Sequence, residues 1–273
     1  MTDMTGKTMA YWIRYSDGGV PGFGQLHNDL ITVYEGDMFG TPTATGRKLA
    51  LADVQTLIPC VPGKFIGLWN NYHAQAVKQG LTVPAEPLYF IKAASSYCAD
   101  GQPFGVPSSY DGRVVYEGEL GLVIGATCKD VDEDQAAAAI FGVTCVNDVT
   151  ALDLLTRDPS FAQWTRAKSF DGFGIFGPVI STGLDLGSLQ IRTLVNGRER
   201  QNYAAADMIF SPAQIVSMLS RDMTLQPGDL IACGTSLGVL PIKPGTLVEV
   251  SIDGVGVLRN TFAAPAAQQE KPT

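Results

Sequence analysis

Val115-Tyr116-Glu117-Gly118-Glu119-Leu120-Gly121-Leu122-Val123-Ile124-Gly125 is the stretch on which the reading of this chain turns. Apolar residues dominate it and a glycine closes it, which predicts a β-strand. Side chains alternate along a strand, so Glu117 and Glu119 point the same way, about 6–7 Å apart. Two like charges on one face of a core strand are costly unless something offsets them. A hard divalent cation does so, and oxygen-only ligation favours Mg²⁺, Mn²⁺ or Ca²⁺ over zinc. Taken alone, the segment also reads as a solvated edge strand with two exposed glutamates. Its neighbours Leu120, Leu122, Val123 and Ile124 argue for burial.

The chain has 273 residues, 45% hydrophobic and 17% charged, enough for one large domain or one large plus one small. Its 30 glycines and 16 prolines predict many turns and β-rich structure with few helices. The formal net charge of −8 argues against nucleic acid as a partner, because phosphate neutralisation needs a basic face. An anionic substrate would then need a local cation, either a bound metal or a placed Lys or Arg. Cys60, Cys98, Cys128, Cys145 and Cys233 are odd in number and contain no CxxC pair. They are expected to be reduced core residues of a cytoplasmic protein, not zinc ligands or a disulfide frame. With no apolar run of about 18 residues and no signal-peptide-like core near Met1, a soluble protein without a membrane partner is expected.

Short β-like runs with turn signals fill residues 8–36, a small antiparallel meander. Lys64–Trp69 predicts a strand after the Pro62-Gly63 break, and a polar helical stretch from Asn71 ends at Gly80. Glu133–Ala139 predicts a short helix with acids in its first turn. Asn196-Gly197 is a hairpin dipeptide. Ser211-Pro212 opens a helix running to about Arg221. Strands are expected over 229–233, 247–252 and 255–259. The whole predicts a β-dominated α+β protein. A small N-terminal β-rich domain (1–60) precedes the main domain (61–262), and residues 263–273 are expected to be a disordered tail.

Asn147-Asp148 closes an apolar run, where a carboxylate is well placed to complete a metal site. Together with it, Tyr116-Glu117-Gly118-Glu119-Leu120, Lys168-Ser169-Phe170-Asp171, Phe176-Gly177-Pro178, Leu194-Val195-Asn196-Gly197 and Pro227-Gly228-Asp229-Leu230 through Gly234-Thr235 form an ordered set. The set resembles the fumarylacetoacetate hydrolase family over roughly residues 62–260. The resemblance implies a mixed β-roll, β-barrel-like core, a homodimer and small keto-acid substrates, many from aromatic catabolism. It implies Mg²⁺, with Mn²⁺ or Ca²⁺ as alternatives, held by Glu117, Glu119 and Asp148. By the same resemblance Lys168 lies beside the metal as a catalytic and substrate-binding cation, and Thr235 contacts the substrate carboxylate. Asn147 and Asp171 are expected in supporting roles. Read without the family, Lys168 is a surface lysine beside Arg166.

His73 falls on the family histidine that activates water. The glutamate expected three residues later is Ala76, a departure that weakens water activation. A solvent-facing helix residue is the plain alternative for His73, and His27 is given no role. The function expected is metal-dependent hydrolysis of a C–C bond in an acylpyruvate or 1,3-diketo acid. The alternative is a 2-oxo acid decarboxylase or a 2-hydroxydienoate isomerase, which the missing glutamate favours. A non-catalytic ligand-binding homologue is a third class.

Overall fold

The computed structural model describes residues 9–264. An antiparallel meander comes first, β1 (Ala10–Asp17), β2 (Val20–His27), β3 (Leu30–Glu35) and β4 (Thr43–Ala50). A short β5 (Gln55–Thr56) returns to β1. β6 (Phe65–Trp69) follows the Pro62-Gly63 break. Helix α1 (His73–Gln79) then ends at Gly80, whose left-handed conformation (φ 66°) suits the C-cap. β7 (Leu88–Lys92) runs back against β6, and β8 (Tyr97–Cys98) joins a later strand.

Val115–Gly125 departs from the expected single strand. β9 (Val114–Val115) and β10 (Gly118–Ile124) belong to different sheets, with Tyr116 and Glu117 at the break. Side chains replace ladder partners there: the Glu117 amide donates to Asn147 Oδ1 and the Gly118 amide to Gln201 Oε1. β10 is buried along its whole length, so it is not a solvated edge strand.

Helix α2 (Glu133–Ala139) starts in a capping box between Asp132 and Gln135, and β11 (Ile140–Asp148) returns antiparallel to β10. β12 (Thr150–Ala151), the short helix α3 (Trp164–Lys168) and β13 (Gly174–Thr182) follow. β14 (Gln190–Val195) and β15 (Arg198–Ala204) form the hairpin expected at Asn196-Gly197, both residues having positive φ. Helix α4 (Pro212–Asp222) carries Ser211 as N-cap and proline in its first turn. β16 (Leu230–Ala232), β17 (Pro241–Ile242), β18 (Leu247–Ile252) and β19 (Gly256–Thr261) complete the chain.

The largest sheet has twelve strands on the path β4-β3-β2-β1-β13-β11-β10-β16-β6-β7, with β5 on β1 and β8 on β13. It is mixed, because β16 with β6 and β13 with β8 are parallel. The fold is α+β and β-dominated, as expected, and among the described residues the large mixed sheet stays open and does not close into a barrel. A separate four-stranded sheet, β15-β14-β18-β19, packs on β10, β11 and β13 and buries that face without closure. The N-terminal meander is continuous with the twelve-stranded sheet through the β1–β13 pairing. All five cysteines are free and buried. Ala263 donates its amide to Phe104, and residues 265–273 of the expected tail lie outside the described residues. No helix among the described residues is long and apolar enough to cross a membrane.

Gly118 separates the two glutamates because nothing larger fits. A Cβ there would meet Thr193 Oγ1 at 2.0 Å and Gln201 Oε1 at 3.2 Å. Gly118→Ala is therefore expected to lower unfolding stability by roughly 1–3 kcal/mol through overpacking. Urea unfolding should read this as a lower midpoint at unchanged slope.

Candidate metal centre

Glu117 lies just before β10, Glu119 is the second residue of that strand, and Asp148 closes the neighbouring β11. The Gly118↔Asn147 register brings the ends of the two strands together. One oxygen from each carboxylate lies within 4.8 Å of the others. Asp148 and Glu119 are buried, and Glu117 is partly exposed.

Two lysines enter this cluster. Lys168, the last residue of α3, is buried, and its Nζ donates to Glu117 Oε2 at 2.6 Å and Asp148 Oδ2 at 2.5 Å. Lys92, the last residue of β7, is 1% exposed and donates to Asp148 Oδ1. Asp148 thus has an ammonium on each oxygen. Burial pushes its carboxyl up, but Lys168 and Lys92 outweigh that and leave it below its ordinary value. Burial pulls the Lys168 ammonium down, but Asp148, Glu117 and Glu119 raise it above its ordinary value. Lys92 ends below its own, burial outweighing Asp148.

Glu119 is the least compensated of the three. Its Oε2 accepts from the Gly234 amide at 2.8 Å, while its buried Oε1 has no hydrogen-bond partner among the described residues. Burial, then Asp148 and Glu117, hold its carboxyl well above the ordinary range. Glu117 is raised by burial in the same direction, against Lys168. With all three carboxyls ionised, as a cation would require, two ammonium groups leave one negative charge uncompensated. An all-oxygen set with an orphaned buried oxygen fits a hard divalent cation.

The loop after β16 packs against this cluster. Thr235 Oγ1 donates to the Gly118 carbonyl at 3.1 Å and accepts from Gln201 Nε2 at 2.8 Å. The Tyr203 hydroxyl also donates to the Gly118 carbonyl. Asn71 ties the start of α1 to the same loop, donating to the Cys233 carbonyl at 2.8 Å and accepting from the Phe210 amide at 3.0 Å. His73 opens α1 and is exposed, while the Ala74 amide donates to Asp207 Oδ2 at 3.0 Å. Ala76, where an acid was expected, is buried at 2% exposure.

The structure brings together Glu117, Glu119, Asp148 and Lys168, and sets Thr235 against the backbone between the glutamates. His73 stands at the exposed start of its helix. Asn147 is buried and bonded to the Glu117 amide, whereas Asp171 is exposed. Sequence reasoning missed Lys92, Gln201, Tyr203 and Asn71. Lys92 carried no signal in the sequence, since it ends a strand whose Leu88, Tyr89 and Ile91 the fold leaves exposed.

The family profile described as fumarylacetoacetate (FAA) hydrolase, C-terminal, matches residues 64–263, and one described as Rv2993c-like, N-terminal, matches residues 12–59. Protein Rv2993c of Mycobacterium tuberculosis is 41% identical over 86% of this chain and 86% of its own length. A 2-hydroxyhepta-2,4-diene-1,7-dioate isomerase from Mycobacterium marinum superposes with a TM-score of 0.86 at 36% identity, covering 95% of this chain and 100% of that one. A fumarylpyruvate hydrolase from Pseudomonas aeruginosa, solved with Mn²⁺ and pyruvate, gives a TM-score of 0.69 at 31% identity, covering 77% and 91%.

A cation at this centre needs Glu119 ionised. In the metal-free fold the raised Glu119 carboxyl keeps its proton above its ordinary range, and ionising it in place destabilises the fold as pH rises. Metal binding competes with that proton, so metal stabilisation grows with pH. Thermal unfolding with Mg²⁺ and with EDTA should differ by about 5 °C near pH 8 at saturation around 100 Kd. The gap should shrink towards pH 5, and a gap that is constant or widens on acidification contradicts the assignment.

Proposed function

The chain belongs to the fumarylacetoacetate hydrolase family, and from that footing we propose that it is a divalent-metal-dependent enzyme hydrolysing a C–C bond in an acylpyruvate or related 1,3-diketo acid. The observation that carries this reading is the buried three-carboxylate cluster with one orphaned oxygen and two lysines. Mg²⁺ is the proposed resident cation, and the Mn²⁺ and pyruvate held by the fumarylpyruvate hydrolase support both the metal class and the 2-oxo acid class. We also propose a cytoplasmic homodimer, in which a second copy covers some of the exposed apolar side chains Val61, Val77, Val83 and Phe161.

Glu117, Glu119 and Asp148 would hold the cation, which supplies Lewis-acid polarisation of the substrate's 2-oxo group. Lys168 offers a fixed positive charge to the substrate carboxylate or to the enolate oxygen that develops on cleavage. Thr235 offers a hydroxyl to the carboxylate. His73 takes a proton from water, and the hydroxide attacks the distal carbonyl. The bond between that carbonyl carbon and C3 of the pyruvate unit breaks, its electron pair forms the pyruvate enolate, and a proton completes pyruvate beside the released acid.

A second reading is isomerisation of a 2-hydroxydienoate, or decarboxylation of a 2-oxo acid, in which no water attacks carbon. Ala76 favours it by leaving His73 without its expected acid, and so does the similarity to a dienedioate isomerase.

The test follows the absorbance of an acylpyruvate, of oxaloacetate and of a 2-hydroxydienoate with EDTA-stripped protein, before and after Mg²⁺, in the native chain and in His73→Ala. Products are identified in each case. Hydrolysis predicts Mg²⁺-dependent release of pyruvate and a carboxylic acid, falling about 10²–10⁴-fold in His73→Ala. CO₂ release from oxaloacetate alone, or isomerisation of a dienoate without fragments, moves the assignment to the second reading.

A further inference from the structure

The hairpin of β6 and β7 carries a gradient from charge to aromatic surface. Its register pairs Phe65 with Lys92, Gly67 with Phe90 and Trp69 with Leu88. Residues two apart, and those directly opposite, share a face, so these six lie on one side of the hairpin. Lys92 marks that side as the one facing the carboxylates, through its bond to Asp148. At about 3.3 Å per residue, the Trp69–Leu88 rung lies roughly 13 Å along the strands from Lys92.

The middle rung is built for a ring. Gly67 has no side chain, and a Cβ there would stand 2.4 Å from Phe90 Cζ, so the Phe90 ring lies directly across the strand. The Lys168 ammonium sits 4.8 Å over that ring. Trp164 stacks on Phe90 at 5.5 Å and 13°, and Trp69 packs against Trp164 at 5.8 Å. An unbroken aromatic series thus runs from the ammonium beside the carboxylates to a tryptophan that is 37% exposed, four residues before His73.

The two side chains of the outer rung carry no cation for a second carboxylate. Trp69 and Leu88 are apolar, and Leu88 is 38% exposed. On α3, Lys168 lies four residues from Trp164 and shares its side of the helix. Arg166 lies only two residues away, turns to the opposite side and is exposed. A 2,4-dioxo acid spans about 5 Å from its carboxylate carbon to C5, counting four C–C bonds in a zigzag. A tail that follows the aromatic series outward from the carboxylates meets Phe90 and Trp164 before Trp69.

We infer that Trp69, with Trp164 and Leu88, is the specificity wall for the distal end of the substrate, and that it selects a planar, uncharged tail, an aryl or extended conjugated group. This rests on the 2-oxo acid reading of the same site. An aroylpyruvate is the substrate class it names, in preference to a short aliphatic acylpyruvate or a dicarboxylate.

The test measures binding and turnover of benzoylpyruvate, acetylpyruvate and fumarylpyruvate by the Mg²⁺-loaded protein, with oxalate as a probe of the head site alone. Benzoylpyruvate should bind at least ten-fold more tightly than the other two. Trp69→Ala should abolish that preference, Trp69→Phe should keep most of it, and oxalate affinity should stay the same in both variants. Unchanged oxalate binding also shows that each variant is folded. Tightest binding of fumarylpyruvate, or a preference that survives Trp69→Ala, overturns the inference. An intact, Trp69-dependent preference without C–C cleavage sinks the hydrolase reading and leaves the wall standing. Loss of oxalate binding by the native protein sinks both.

Discussion

Three carboxylates gathered where water is scarce are the constraint on which the rest of this structure depends. Glu117, Glu119 and Asp148 repel one another and lose hydration together, and neither cost is recovered by apolar packing. Lys168 bridges Glu117 and Asp148, and Lys92 takes the other oxygen of Asp148. Each of these bonds fixes an element. Lys92 holds the end of β7 against β11, and Lys168 pins α3 over the same strand end. The Gly234 amide, bonded to Glu119, fixes the way the chain leaves β16. A buried ion cluster is weak evidence for stability in itself, since apolar packing of the same volume often stabilises as well. Keeping one oxygen of Glu119 unpaired is better explained by a ligand that takes it.

The geometry of the carboxylates is set from the neighbouring sheet. The β14–β15 hairpin supplies Thr193, whose hydroxyl leaves no room for a side chain at position 118. It also supplies Gln201, which accepts from the Gly118 amide and donates to Thr235, and Tyr203, which donates to the Gly118 carbonyl. Both polar groups of the peptide between the glutamates are therefore satisfied by side chains instead of by a strand. This is why the chain can break its ladder at Glu117 and still aim Glu117 and Glu119 at one point. Strand alternation alone would have given the same convergence by a simpler route, and the two routes cannot be told apart from Glu-Gly-Glu.

What could be read from the chain followed what is local. The helix start at Glu133, the Ser211 cap, the Asn196-Gly197 hairpin and the Gly80 stop are each decided by a few adjacent residues, and the structure has them where the sequence puts them. The carboxylates and Lys168 were legible through an ordered set of short motifs rather than through any one of them. Lys92, Gln201 and Tyr203 were not, because their roles exist only once strands far apart in sequence are paired. Lys92 sits among exposed apolar residues and reads as a surface lysine until β7 is laid beside β6. The openness of the large sheet was hidden for the same reason, since closure depends on whether another sheet covers the face. Three residues after His73, Ala76 is buried, so a glutamate there would have to displace packed neighbours and not merely extend into solvent.

Fixing charge at one end of a strand pair and aromatic surface at the other separates two demands that conflict elsewhere. Catalysis on a keto acid needs groups held rigidly, and here every carboxylate is tied by lysine or backbone. Substrate choice needs a surface that can change without disturbing them. Along β6 and β7 the two ends are two rungs apart, joined by Phe90 lying over Gly67. A substitution at Trp69 reaches Trp164 and Leu88 on the outer rung, two rungs from the one that carries Lys92. A substitution at Gly67 is different in kind: any side chain there expels the Phe90 ring that lies under Lys168, and so reaches the ionic cluster itself. The glycine is the joint between the two halves of the site, and it is there that a change of substrate would begin to alter the chemistry.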